Sequence, residues 1–200
     1  MNTKQQRVYS SENLTHRYTL GWDSTNSIWQ NETHMYYSYN ASNLEDTIIQ
    51  QNWDQGENNW RDESKSQITY DENQRIITYL TKLYDYSTLQ LENYFLSTNI
   101  YENNNHTVIY QRWENNAWQN DSKLFYSYID ETRTDTTTSL NWDTSSDKWI
   151  PDYQSITTFD SQINAKQYFR QKYTDNQWQT IKIYDYHWSI FIPNTIPEIT

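Results

Sequence analysis

Residues 53–84 read WDQGENNWRDESKSQITYDENQRIITYLTKLY, and this stretch decides the fold. From Ser64 to Tyr70 the residues alternate, with Ile68 and Tyr70 on one side and Gln67 and Thr69 on the other. Ile76 to Tyr84 is rich in Ile, Thr, Tyr and Leu. β-Branched and aromatic residues at period two are strand signals. Between them lie polar clusters, Asp54–Asn59 and Asp71–Arg75, of the composition that makes turns. The stretch is therefore two antiparallel strands and two turns.

Outward from it, the same landmarks recur. Trp22, Trp53, Tyr84, Trp113, Trp142 and Tyr173 are separated by 31, 31, 29, 29 and 31 residues. A second series runs in phase at Trp29, Trp60, Leu91, Trp118, Trp149 and Trp178. A third lies 10 residues beyond the second, at Tyr39, Tyr70, Tyr101, Tyr128, Phe159 and Trp188. A fixed period of this length marks an array of one supersecondary unit whose copies bury each other's surface. The loop between paired aromatics has 6 residues in four copies and 4 in two, Glu114–Ala117 and Thr174–Gln177. A difference of two keeps the pleat parity, so Trp53 and Trp60 are expected on adjacent strands with their rings on one face.

The predicted fold is all-β: an antiparallel meander of about six two-stranded repeats, an elongated twisted sheet or solenoid, with a closed up-and-down barrel as the alternative. The repeat runs without a linker, which gives a single domain over 1–200. One copy is nearly all polar in its second strand, ETRTDTTTSLNW at 131–142, and reads as a weak or edge-like strand.

Composition narrows the function. The apolar fraction is 34%, half of it aromatic, against an average of about 45–50%. The core is expected to be thin and built from Tyr and Trp, whose rings bury area while keeping a polar tip. A net charge of −11 argues against nucleic acid and anionic membranes, which call for a positive surface. No run is apolar enough for membrane insertion or a signal peptide. There is no cysteine. His16, His34, His106 and His187 have no metal-ligand spacing and read as exposed or strand-end residues. With two glycines the chain holds no phosphate loop and no nucleophile elbow. Turn carboxylates such as Asp23, Asp54, Asp85 and Asp143 read as turn initiators, and no loop with alternating oxygen ligands for calcium is present. Catalytic residues, cofactors and metals are accordingly expected to be none.

The piece TYDENQRI, with SDKW and NDSKLFYSY elsewhere, resembles the YD-like tandem repeats of large secreted Bacteroidetes proteins, and distantly Rhs/YD repeats. Those repeats have a Tyr-Asp, a short turn usually containing Gly, and then an apolar strand. Here Gln74 stands where the turn glycine would be, and Asn43 and Asn105 do so in other copies. The resemblance implies an extracellular or cell-surface location, often reached by type IX export, and no assigned chemistry.

One feature points to a ligand. Equivalent residues two strands apart lie about 9.6 Å from each other, so a row of rings could stack successive sugars. The candidate platforms are Trp22, Trp29, Trp53, Trp60, Trp113, Trp118, Trp142, Trp149 and Trp178. The expected roles are adhesion or glycan binding, through a polysaccharide or another surface protein. The alternative is a structural subunit polymerising into an extracellular filament through strand edges, for which the apolar run HWSIFIP at 187–193 could supply a strand, and a glycan-active enzyme ranks behind both.

Overall fold

A computed structural model describes residues 2–186 of the chain. Thirteen strands follow one another: β1 Thr3–Ser10, β2 Asn13–Asp23, β3 Ile28–Tyr39, β4 Glu45–Asp54, β5 Asn59–Tyr70, β6 Ile76–Asp85 and β7 Gln90–Glu102. After these come β8 Asn105–Glu114, β9 Ala117–Ile129, β10 Thr134–Asp143, β11 Lys148–Phe159, β12 Ala165–Thr174 and β13 Gln177–Asp185. They form one antiparallel meander in sequence order, and no helix accompanies it among the described residues. β1 and β13 are not neighbours, so the sheet is not closed and the barrel alternative falls. The segment 187–193, expected to cover or extend an edge, lies outside the described residues, as does Trp188.

The expectation for 131–142 needs correcting. This stretch is no edge: β10 sits between β9 and β11 and pairs with β11 over its whole length. Its threonines are β-branched and suit a pleated surface even when they offer little apolar area.

The chain divides into two compact units, one of Met1–Ile100 with Val108–Ser122 and one of Tyr101–Thr107 with Lys123–Thr200. In the first, a row of directly opposed residues crosses β3 to β7: Tyr37, Ile48, Ser66, Thr81 and Phe95. Tyr37 and Ser66 in this row are buried, as is Ile68 one pleat further on β5. No large side chain among the described residues is fully enclosed, which is the thin core expected of so polar a chain. Tyr39 and Tyr70 add two tethers. Their hydroxyls donate to the backbone carbonyls of Leu14 at 2.9 Å and Glu45 at 2.6 Å.

Turn chemistry fixes the hairpins. Asp23 Oδ1 accepts from the amides of Thr25 and Asn26, and Asp54 Oδ1 from those of Gly56 and Glu57. Asp85 and Asp143 likewise accept from the amides of Ser87 and Ser145. Each of these four-residue loops closes on a left-handed residue: Ser27, Asn58, Leu89 or Asp147. The two shorter loops, Asn115-Asn116 and Asp175-Asn176, have positive φ at both positions. That is the two-residue turn whose twist matches the flanking strands. At the opposite ends, Asn40, Asp71 and Asp160 each accept from two amides while Asn43, Gln74 and Ile163 take positive φ. The expectation for Asn43 and Gln74 holds. For Asn105 it does not: Asn103 takes the left-handed position at φ 52°, and Asn105 opens β8. Neither glycine has positive φ.

Ile163 is the strained member of this set. It has φ 64°, carries a branched Cβ and is 74% exposed, so its backbone strain is offset by little burial. Ile163→Asn is expected to raise the unfolding free energy by about 1 kcal/mol, because Asn visits this region readily. Chemical melts of the two proteins, read at equal slope, check this.

Bulges complete the frame. In five ladders the residue three positions beyond the member of the second series is skipped: Glu32, Glu63, Tyr94, Asp152 and Ile181. An extra residue on one strand bends it, and it also reverses which face the following residues occupy.

Candidate ligand-binding face

The register places the paired tryptophans directly opposite one another: Trp22 with Trp29, Trp53 with Trp60, and Trp142 with Trp149. Opposed residues share a face, so the expectation for Trp53 and Trp60 holds. The rings meet edge to face, with centroids 5.3, 5.0 and 4.9 Å apart in these three pairs. Trp113–Trp118 and Tyr173–Trp178 repeat the geometry at 5.1 and 5.2 Å. All nine candidate tryptophans thus sit in such pairs. Where Leu91 replaces a ring, Tyr84 packs edge to face on Tyr86 at 5.0 Å instead. The pairs are half-buried, and Trp22 and Trp29 are the most open, at 38% and 41% exposed.

Two open grooves flank the tip of β4. One, of ≈ 370 Å³, is lined by Trp29, Gln30, Asn31, Trp53, Gln55 and Asn58. The other, of ≈ 420 Å³, is lined by Asn52, Trp53, Asp54, Gln55, Gly56, Arg61 and Tyr86. In the second, Arg61 pairs with Asp54 and with Glu57, both at 2.8 Å. The backbone amide of Glu57 is the leading cause that holds the Asp54 carboxyl below its ordinary value of 3.8.

The same face carries a polar chain across four strands. His16 Nδ1 lies 2.9 Å from His34 Nε2, His34 Nδ1 lies 2.9 Å from Gln51 Oε1, and Gln51 Nε2 donates to Asp62 Oδ1 at 2.8 Å. The direction follows from chemistry. An ionised carboxylate only accepts, so Gln51 turns its NH₂ to Asp62 and its oxygen to His34. His34 must then donate from Nδ1, and His16 donates from its own Nδ1 to the remaining nitrogen. Tyr18 stacks on His34 at 4.4 Å with the rings 4° apart, and Trp60 leans on it at 5.4 Å. His34 is buried beneath these rings.

This corrects, for His16 and His34, the expectation that the histidines are exposed or strand-end residues, since both lie within their strands and neither is exposed, whereas His106, the second residue of β8, does stand at a strand end. The Glu32 bulge moves His34 onto the tryptophan face, opposite Tyr18. In the other unit His106 is sandwiched by Tyr101 at 4.4 Å and Tyr126 at 5.3 Å. His187 lies outside the described residues. The two imidazoles are hydrogen-bonded directly to each other, and no group of three or more His, Cys, Asp or Glu side chains that could hold a metal ion lies among the described residues. What the chain can do is respond to protons.

Burial lowers the His16 pKa from 6.5, and the neighbouring charge of His34 adds to this. The native state therefore binds fewer protons here than the unfolded chain. Its contribution to stability is complete above pH 6.5 and is lost as pH falls through the native value. One proton leaves the imidazole–imidazole bond intact, whereas two protons put donors on both sides of it. Unfolding free energy is expected to fall between pH 7 and pH 5, and to fall less in His16→Gln. Glu45, whose pKa burial raises from 4.5, contributes in the opposite direction in both proteins, so the difference between them isolates the histidine.

No family model matches the chain, and no curated protein matches it. Among solved structures it is similar to a protein of unknown function from Bacteroides fragilis NCTC 9343. That likeness has a TM-score of 0.53 at 14% identity, covering 62% of this chain and 92% of that one. A DUF3836 family protein from Parabacteroides distasonis ATCC 8503 gives a TM-score of 0.39 at 11% identity, covering 46% of this chain and 82% of that one. Another, from Bacteroides vulgatus ATCC 8482, gives 0.29 at 14%, covering 70% of this chain and 100% of that one. The first likeness extends to the fold alone, and the other two are too distant to add to it.

Proposed function

We propose that this protein is a non-enzymatic binding protein of the cell exterior that presents its tryptophan face to a polysaccharide or another surface molecule. The observation that carries the reading is the recurrence of half-exposed, edge-to-face ring pairs beside open polar grooves. Such pairs offer flat apolar area next to hydrogen-bonding groups, which is the mixture a sugar presents in return. The resemblance of TYDENQRI to secreted YD-like repeats supports the location. No helix among the described residues is long and apolar enough to cross a membrane.

The test is a glycan array followed by titration of intrinsic tryptophan fluorescence. Wild type is expected to bind at least one polysaccharide class, and Trp53→Ala to weaken that binding at least about tenfold, or roughly 1.4 kcal/mol. Full affinity in the variant would remove the face from consideration.

A second reading, assembly through strand edges, is favoured by β1. All eight of its residues are exposed, Val8 at 41% and Tyr9 at 54%, and it has a bonded neighbour on one side only. Light scattering distinguishes the two readings: a mass that rises with concentration favours assembly.

A further inference from the structure

We propose that the groove between the tips of β3 and β4 is a subsite for one uncharged sugar ring, an inference that rests on the glycan-binding reading above. The groove has a structural cause. The β3–β4 ladder ends at Thr33 opposite Asn52, although β3 begins at Ile28 and β4 runs on to Asp54. Beyond that point the two strands are held by their own hairpin partners, Trp29 by Trp22 and Trp53 by Trp60. The opening between them is bounded by one indole from each pair. Its ≈ 370 Å³ lies at the small end of the roughly 300–1,000 Å³ typical of small-molecule sites.

Its lining is two indoles and four carboxamides, with no ionisable side chain. Gln55 Nε2 donates to Gln30 Oε1 at 2.9 Å, and Gln30 Nε2 donates to Asp23 Oδ2 at 2.7 Å. Gln30 is thereby fixed, and Gln55, which lines the groove, keeps its oxygen as an acceptor. Among the described residues, Asn31 and Asn58 side chains have no hydrogen-bond partner, so both amides are available. A carboxamide offers a donor and an acceptor side by side, which is what a sugar hydroxyl takes, while the apolar ring face of the sugar lies on indole. A uronate or sulfate would meet no cation here, in a chain of net charge −11. The groove on the other side of β4 differs, since its Asp54–Arg61 pair already satisfies its charges.

The experiment is calorimetric titration of the whole chain with neutral hexasaccharides of the gluco, manno and N-acetylglucosamine series, and with oligogalacturonate and a sulfated oligosaccharide. The variants are Trp53→Ala and the double variant Gln55→Ala/Asn58→Gly. The double variant keeps the turn, because glycine accepts φ 53° at position 58. The expected result is binding of a neutral series, weakened about tenfold or more in the double variant whose melting is unchanged. Preference for the anionic probes overturns the inference, as does unaltered affinity in the double variant while wild type binds a neutral glycan; in both cases the wider reading of the face stands. Absence of binding to every glycan overturns the two together.

Discussion

Trp60→Ala is expected to lower the unfolding free energy by about 3 kcal/mol, the low end of the range for removing a large aromatic ring from a core. The ring earns that place by its contacts: edge to face on Trp53 at 5.0 Å, tilted on His34 at 5.4 Å and on Tyr18 at 6.1 Å. It covers the buried imidazole from which the His34–Gln51–Asp62 chain runs. Removing it exposes both an apolar surface and a polar network to water. Trp29 is the control. It is 41% exposed and touches Trp22 alone among the described rings, so Trp29→Ala is expected to cost about 1 kcal/mol, the size of one aromatic pair. Urea melts of both variants at equal slope decide the matter. A loss below about 1 kcal/mol for Trp60 would make that ring a ligand platform and not part of the core.

The difference between these two rings bears on function. A sheet of this kind cannot hide both faces, so some rings stabilise it and others stand open. Toward β4 the open tip holds Trp29 and the amide-lined groove, while Trp60 leans inward over His34. Stability and binding are therefore expected to separate between neighbouring tryptophans of one face. A titration of the groove and a melt of the sheet report on different residues.

The strands and their pairing were legible because aromatic spacing and loop parity are both visible in the residues. Trp53 faces Trp60 across a loop whose length can be counted. The histidine chain was not legible. Counting by two from Trp29 gives 31, 33 and 35, which puts His34 on the opposite face from the tryptophans. The skipped Glu32 shifts the count by one and brings His34 opposite Tyr18. Nothing in the composition of Glu32 marks a bulge, since an acidic residue is equally at home on an exposed strand. At 131–142 the cause is different: a polar run suggested an edge, although position in a meander is set by connectivity, not by apolar content. The turns lie between these cases. Their Asp and Asn initiators were readable, but which residue would take positive φ was readable only where it stood in the place of the turn glycine, as at Asn43 and Gln74, and Leu89 and Ile163 carry no such mark.

The second large effect belongs to a two-residue turn. Replacing both Asn115 and Asn116 with valine is expected to destabilise the protein by about 3 kcal/mol, since each left-handed β-branched residue costs roughly 1–2 kcal/mol. The loop has only these two residues between β8 and β9, with φ of 53° and 59°. A longer loop could relieve the strain by redistributing it, as the four-residue loops do with one left-handed residue each. Here both positions are left-handed together, and the right-handed twist of the flanking strands selects that turn over its mirror form. The Trp113–Trp118 pair sits at the strand ends beside the turn, with centroids 5.1 Å apart, so it reports directly on closure. In the valine variant the exciton signal of coupled indoles in far-ultraviolet circular dichroism should weaken along with the melt. The opposite change, Asn116→Gly, should leave that signal intact and change stability by less than about 1 kcal/mol, because glycine removes the strain but adds freedom to the unfolded chain. Wild-type stability in the double valine variant would show that the backbone at this turn is not held left-handed, and the same geometry at Asp175-Asn176 would then fall with it.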